Sequence, residues 1–405
     1  MALALAGMYT RPYNNWSCAL DFKRSYYKLG NTFASSFQSL PGATFTRPGE
    51  QLSYNPVTGK WQTFATDVPA IFSGAGMDIP EGTTNKCINY NAAPTTTTGV
   101  SKIGDAAATL TVVDDTAALR AAGFGALIDA GKMNGNVYKL DNSAGSGDAY
   151  ANFAGNPGNT NTQTFSVFRR GGTGAINMGS AYPTGLPSSA AYQRETLSCV
   201  PTNSTTVPYL RADIGQVVYF ILNQLEEKTY ATNPVIVAGA SASRGAATPV
   251  VTGLSSILTP PFTLVAVANL SALDGVDREL VSLSQDGNNP DRVTLARSAA
   301  NAANFIARAG NVTQQDLSVA GKSGPRLLKM AYRIRSGTAQ GAVDGALQVS
   351  AAITTPPLNR MDLGDRLGGS RWLNSPLLFA GIAPDLTDAQ LQAITASNGS
   401  LMDFL

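Results

Sequence analysis

The run Val217-Val-Tyr-Phe-Ile-Leu-Asn-Gln-Leu225 constrains this chain more than any other stretch. It is apolar on both faces of an extended chain and rich in β-branched and aromatic residues. Periodicity alone leaves a helix open, but the composition favours a central strand. A strand that is apolar on both sides needs cover on both sides. The run therefore predicts a sandwich.

The rest of the chain supplies the other strands. Thr109-Leu-Thr-Val-Val113 alternates as a half-buried strand does. Asn85–Tyr90, Val137–Leu140, Gln163–Arg169 and Arg194–Val200 continue the series, with the turn Tyr54-Asn-Pro-Val-Thr-Gly59 before it and glycine-rich loops between, notably Asn142 to Asn161. The segment 226–262, with Asn233-Pro234 and a small-residue run from Ala238 to Ala247, reads as a boundary. A second series follows. Phe262-Thr-Leu-Val-Ala-Val-Ala-Asn-Leu270 puts Phe262, Leu264, Ala266 and Leu270 on one face. Glu279–Leu283, Arg292–Arg297, Asn304–Arg308 and Leu327–Arg335 come next, and Asp344-Gly345 is a type I′ hairpin signal. The series closes on one short helix: Thr387 and Gln390 stand at capping-box spacing, with Leu391 and Ile394 as its apolar stripe.

Composition agrees with β structure and narrows the chemistry. Only 14% of residues are charged, against roughly 25% in an ordinary soluble protein, while 43% are hydrophobic. The net charge of +2 gives no bulk attraction to nucleic acid or anionic lipid. Histidine is absent, which removes the usual neutral-pH base, the Ser-His and Cys-His nucleophile systems and the commonest zinc ligand. Two-carboxylate chemistry survives that exclusion. Cys18, Cys87 and Cys199 are far apart, odd in number and lack a CxxC, and read as reduced thiols of a protein made in a reducing cytoplasm. The opening Met-Ala-Leu-Ala-Leu-Ala-Gly lacks a basic flank and does not read as a signal peptide. No apolar run approaches the ~20 residues of a membrane-spanning helix.

Residues 1–35 are rich in aromatics (Tyr9, Tyr13, Trp16, Phe22, Tyr26, Tyr27, Phe33) and carry the basic residues Lys23, Arg24 and Lys28. They read equally as a first strand packed on the next domain and as an arm that docks on another protein.

Two resemblances follow from particular motifs. The Asp344-Gly345 hairpin, the Leu363-Gly-Asp-Arg-Leu-Gly-Gly loop, the Trp372-Leu-Asn-Ser-Pro strand entry and the Leu386-Thr-Asp-Ala-Gln-Leu-Gln helix resemble the concanavalin A-like, laminin-G-type jelly roll. Upstream, Leu20-Asp-Phe-Lys-Arg, Leu40-Pro-Gly-Ala-Thr-Phe-Thr-Arg47, Val68-Pro-Ala-Ile-Phe72, Gly76-Met-Asp-Ile-Pro-Glu-Gly-Thr-Thr-Asn85 and Gln224–Val235 occur in an order similar to the carbohydrate-binding-module-like part of tailed-bacteriophage virion appendages. Pro48 and Met77-Asp78 depart from that pattern. The resemblances imply an all-β protein with two antiparallel jelly-roll sandwiches in series: an arm over 1–35 for virion attachment, a carbohydrate-binding-module-like domain over 36–236, and a laminin-G-like domain over 237–405 with one short C-terminal helix.

The function so implied is that of a non-enzymatic virion structural protein, a tail or head fibre, assembled as a homotrimer in the host cytoplasm and binding host surface glycans during adsorption. The alternative is a purely structural or decoration protein; an endoglycosidase is a third reading. For glycan binding the candidates are Tyr150, Phe153, Arg169 and Arg170, with Trp372 in the second half. Aromatic faces stack on sugar rings and arginine reaches carboxylates or hydroxyls. Hairpin packing explains the first four as well, and Leu373, Leu377 and Phe379 argue that Trp372 belongs to a core. The adjacent pairs Glu226-Glu227 and Asp114-Asp115 point to opposite faces and read as solvated strand ends. Asp274-Gly-Val-Asp277 and Asp286-Gly-Asn-Asn-Pro-Asp291 are oxygen-rich enough for calcium, but turn formation also accounts for them. No cofactor is expected.

Overall fold

The computed structural model describes residues 13–88, 91–179, 185–237, 240–270, 275–285, 288–365 and 373–397, of which 288–290 in their backbone only. The chain is all-β, every strand pairing among the described residues is antiparallel, and the division into units differs from the expected one. One unit comprises Met1–Thr46, Ile71–Pro80 and Ala247–Leu405; the other comprises Arg47–Ala70 and Glu81–Ala246. The expected cuts at residues 36 and 237 miss this because pairing joins distant segments. Cys18 pairs with Ile382, and Ala43 with Val251. No local pattern announces such partners.

In the first unit two sheets enclose a core. One runs Ala346–Leu347, Thr338–Val343, Arg326–Arg335, Phe262–Leu270, Pro376–Ala383, Cys18–Asp21, Tyr26–Leu29, Thr32–Ala34. The other runs Val312–Val319, Ala303–Ala309, Asn288–Arg297, Arg278–Gln285, Arg360–Leu363, Thr248–Thr252, Ala43–Thr46. Phe262, Leu264, Ala266 and Leu270 all enter the core, with Leu283, Val293 and Met361 among the residues facing them. The opposite face of Phe262–Leu270 is apolar too: Val265 and Val267 join Trp16, Phe379, Leu391 and Ile394 in a second cluster. That cluster is closed by the helix Asp388–Thr395, which starts in the expected capping box: Gln390 N donates to Thr387 Oγ1 (3.3 Å) and Thr387 N to Gln390 Oε1 (2.8 Å). Asp344 and Gly345 both have positive φ, 51° and 78°, and join Val343 to its partner Ala346, as a type I′ turn does.

Residues 13–34 are part of this sheet. Tyr13 is fully buried and its hydroxyl donates to Asp21 (2.8 Å). Lys28 is also buried, its ammonium donating to the carbonyls of Tyr13, Asn14 and Trp16 at 3.0, 2.6 and 2.8 Å. Of the two readings of this segment, its described part follows the packed one.

The second unit is a sandwich with an extra layer. A four-stranded sheet runs Val100–Gly104, Ala149–Phe153, Pro208–Ala212, Gly174–Met178. A five-stranded sheet runs Thr109–Asp114, Asn136–Asp141, Val217–Glu226, Gln163–Gly171, Ser189–Cys199. Between them lie Phe153, Phe165, Leu210, Val218, Phe220 and Leu225. The outer face of the five-stranded sheet is covered by Leu119, Phe124, Leu127 and Trp61, which meet Val137, Phe168, Ile221 and Leu222. The strand Val217–Glu226 is thus central and covered on both sides. A bulge with Leu222 at φ 55° falls where its register against Gln163–Gly171 slips, switching which side chains face the sandwich core.

The covering layer was not expected. It holds short helical turns over Thr116–Asp129, kinked at Gly123 (φ 91°). A Cβ at Gly123 would lie 2.2 Å from the Gly59 carbonyl, so only glycine fits there. The run Thr-Ala-Ala-Leu-Arg-Ala-Ala is made of good helix formers, and that signal was available. Arg47, the last residue of the Pro-Gly-Ala-Thr-Phe-Thr-Arg motif, is fully buried; its guanidinium donates to the carbonyls of Gly49, Phe64, Ala65 and Val68 and to Gln51.

A tyrosine cleft on the four-stranded sheet as candidate functional site

The expected loop Asn142–Asn161 contains a strand, Ala149–Phe153, whose side chains alternate buried and half-buried. Ala-Tyr-Ala-Asn-Phe carries that alternation, but the flanking glycines masked it. Ala149, Ala151 and Phe153 face the core, so Tyr150 and Asn152 face outward. On the adjacent strand Tyr209 and Arg211 do the same, Asn152 pairing with Tyr209 and Tyr150 with Arg211. Ile103 pairs with Tyr150 from the other side and is 46% exposed.

The two tyrosine rings meet edge to face, centroids 5.3 Å apart at 87°. With Ile103, Asn152, Thr202 and Thr206 they line a cleft of about 330 Å³, the lower end of the usual range for ligand sites. The far wall is braced: Asn203 Oδ1 accepts from Thr205 N (3.0 Å) and from the hydroxyls of Thr205 (2.9 Å) and Thr206 (3.1 Å). Gly104 (φ 88°) ends the strand beside Tyr150, where a Cβ would sit 2.4 Å from Asp148 O and 3.0 Å from the Tyr150 ring. Asp105 ties down the neighbouring loop, accepting from the amides of Ala107 (2.8 Å), Ser146 (2.7 Å) and Gly147 (2.7 Å), which hold its carboxyl below the usual range.

One residue lining the cleft has an atom without a protein partner. Asn152 Oδ1 is buried without a hydrogen bond, as is Asn177 Oδ1 on the strand beyond Tyr209. An orphaned buried acceptor costs about 1–3 kcal/mol. Arg211, on the same face, is held by Asp213 (2.9 Å) and Asp148 (3.3 Å).

The sequence candidates do not converge here. Phe153 is 1% exposed and belongs to the core. Arg169 is 1% exposed; it donates to the carbonyls of Gly172 (3.0 Å) and Pro187 (2.5 Å) and pairs with Glu195 (3.1 Å). Arg170 makes a two-pronged contact with Asp115, both distances 2.7 Å, and lies over Tyr219 with its guanidinium carbon 4.0 Å from the ring centroid. Both arginines are on the five-stranded sheet. Trp372 lies outside the described residues. Tyr150 alone is in the cleft. Tyr209 was missed, although Tyr-Leu-Arg-Ala before the Asp-Ile-Gly turn alternates like a strand.

The acidic pairs also differ from expectation. Glu226 is fully buried, accepting from Thr83 (2.7 Å), Gln224 (2.8 Å) and the amide and hydroxyl of Thr232 (2.8 Å each). Asp115 accepts from Tyr192 (2.6 Å) as well as Arg170. Neither is a solvated strand end, because each has polar partners that replace water. Of the calcium candidates, Asp274 and Asp286 lie outside the described residues. Asp277 accepts from Ala299 N (2.9 Å), and Asp291, within the strand Asn288–Arg297, from Gly310 N (2.6 Å), both contacts between segments distant in sequence. Among the described residues no cluster of acidic or cysteine side chains is placed to hold a metal.

Two other regions of the molecule are also polar. A larger cleft of about 600 Å³ is lined by Lys86, Glu227, Lys228 and Arg244 among others. Its charges are matched in place. Glu227 accepts from Asn161 (2.5 Å), Asn159 (2.9 Å) and Lys86 (3.2 Å), which push its carboxyl down to about 2, and Lys228 bonds to Glu81. In the first unit the face of the seven-stranded sheet turned away from its core carries Ser282, Ser284, Thr294, Arg360 and Asp362, all but Arg360 buried. Ser282 and Thr294 are joined (2.9 Å), and Arg360 clasps Asp362 (2.6 Å).

No family model matches this chain, and no curated protein does. Its fold has distant likenesses among solved structures. A carbohydrate-binding module of the Ruminococcus gnavus IT-sialidase, bound to α2,3-sialyllactose, aligns over 34% of this chain and 82% of its own at 16% identity, TM-score 0.30. A pentraxin from Limulus polyphemus aligns over 34% and 71% at 11% identity, TM-score 0.27. A β-glucanase of Bacillus licheniformis aligns over 35% and 72% at 13% identity, TM-score 0.26. At these levels none of them bears on what the chain does.

Proposed function

We propose that this chain is a glycan-binding structural protein of a tailed-phage virion and that the tyrosine cleft is where it holds host surface sugar. The observation that carries the binding reading is the pairing of two outward tyrosines with an orphaned amide oxygen, Asn152 Oδ1. Tyrosine faces suit the apolar side of a sugar ring, and a turn of the half-buried Asn152 side chain would bring its unpaired oxygen to a sugar hydroxyl. Binding is favoured over hydrolysis by the lining: among the described residues it has no carboxylate, and glycosidic cleavage uses two. Virion membership, attachment through the N-terminal segment and a homotrimeric state rest on the motif order from Leu20 to Val235.

The binding reading is tested by arraying the purified chain against host-surface and synthetic glycans, beside Tyr150→Ala and Tyr209→Ala. Wild-type binding lost in both variants is expected; binding unchanged in both moves the site elsewhere. Labelling of purified phage particles by antibodies to the chain, with light scattering for the trimer, tests the rest. Particles without the chain would overturn the virion reading.

A further inference from the structure

Resting on that reading of the cleft, we infer that its ligand is a neutral oligosaccharide lying in a longer groove across the sheet, rather than a single or an acidic sugar. A second cleft of about 290 Å³ adjoins the first, and Asn152 and Val207 line both. Ser101, on the outward face, lines only the second and pairs with Asn152. Ser101, Asn152 and Tyr209 therefore sit side by side on three successive strands. Two strand spacings make about 10 Å, longer than one sugar ring.

Charge decides the class. Among the described residues, neither cleft is lined by a charged side chain. A sugar carboxylate or sulfate buried there would lose water and gain no cation. Arg211 shares the face but is already neutralised by Asp148 and Asp213, two acids against one base, which disfavours an anion further. The polar groups offered are Ser101, Thr202 and Thr206 hydroxyls and the Asn152 amide, which exchange hydrogen bonds with hydroxyls.

The test is calorimetric titration of the full chain with neutral glucose, mannose and N-acetylglucosamine oligomers of one to six units. Sialyllactose and oligogalacturonate serve as acidic probes. Affinity in one neutral series should rise at least tenfold from the monosaccharide to the longer oligomers, with no acidic probe binding more tightly. Ser101→Tyr, which fills only the second cleft, should bring the long oligomer down to monosaccharide affinity and leave the monosaccharide unchanged. Equal affinity at all lengths, preference for an acidic probe, or indifference to Ser101→Tyr would overturn the inference while leaving the binding site standing. Absence of binding by every probe would overturn the site and the inference together.

Discussion

The outward faces of the four-stranded sheet and of the seven-stranded sheet are built alike, on antiparallel strands with an apolar core behind them. Their polar groups are treated in opposite ways. On the seven-stranded sheet Arg360 grips Asp362 with three contacts of 2.6–3.1 Å, and Ser282 meets Thr294. These donors are spent on acceptors of the same chain. On the four-stranded sheet the side-chain oxygens of Asn152 and Asn177 are left over. The first arrangement favours stability and the second leaves something for a ligand to complete. Polarity by itself therefore does not mark a binding face.

That contrast can be broken at three points. Asp362 is 3% exposed, and Asp362→Ala strands Arg360. Urea unfolding should show a loss of about 3 kcal/mol, with glycan affinity unchanged; a loss below the error of the fit would mean that this face is not held by its own charges. Tyr209→Ala should behave inversely. Its glycan affinity should drop by about 2 kcal/mol, roughly thirtyfold, with the urea midpoint almost unmoved. Asn152→Ala separates the two roles most finely: removing an orphaned acceptor should leave stability equal or raise it by up to about 1 kcal/mol, while binding weakens severalfold. A clear destabilisation would show that Asn152 was satisfied after all.

The smallest effect is in acid. Glu227 is pushed down to about 2 by Asn161, Asn159 and Lys86, and Asp141 down to about 2 by Lys139 and Ser143. Their folded values lie below the unfolded value of about 4. The stability they add is complete above that unfolded value and disappears as pH falls towards 2. Both side chains are partly exposed, so solvent screens the gain. Urea midpoints followed from pH 6 to 2 should fall in that window, and Glu227→Gln with Asp141→Asn should flatten the fall.

Local chemistry was legible in the sequence. Double-sided apolarity identified Val217–Glu226, the Asp344-Gly345 pair identified its turn, and Thr387 with Gln390 identified the closing helix. Each depends on residues a few positions apart. Ala149–Phe153 was hidden because two of its three inward residues are alanines, whose small apolar signal is lost among neighbouring glycines. The site was less legible than the fold. Tyr150 was visible as an aromatic, but its partner Tyr209 is brought beside it only by strand pairing across the sheet. Arg169 and Arg170 look like ligand residues in one dimension; in three they are consumed by Glu195 and Asp115.

The strand Cys18–Asp21 is hydrogen-bonded on one side to Tyr26–Leu29 and on the other to Pro376–Ala383. During synthesis the first of these strands leaves the ribosome long before its far neighbour. Pairings this distant in sequence close slowly. Until they close, Leu20 and Phe22, both destined for full burial, have no sheet to enter. A nascent chain stopped before Pro376 should therefore present this segment to chaperones or proteases, and emergence of Pro376–Ala383 should abolish that exposure.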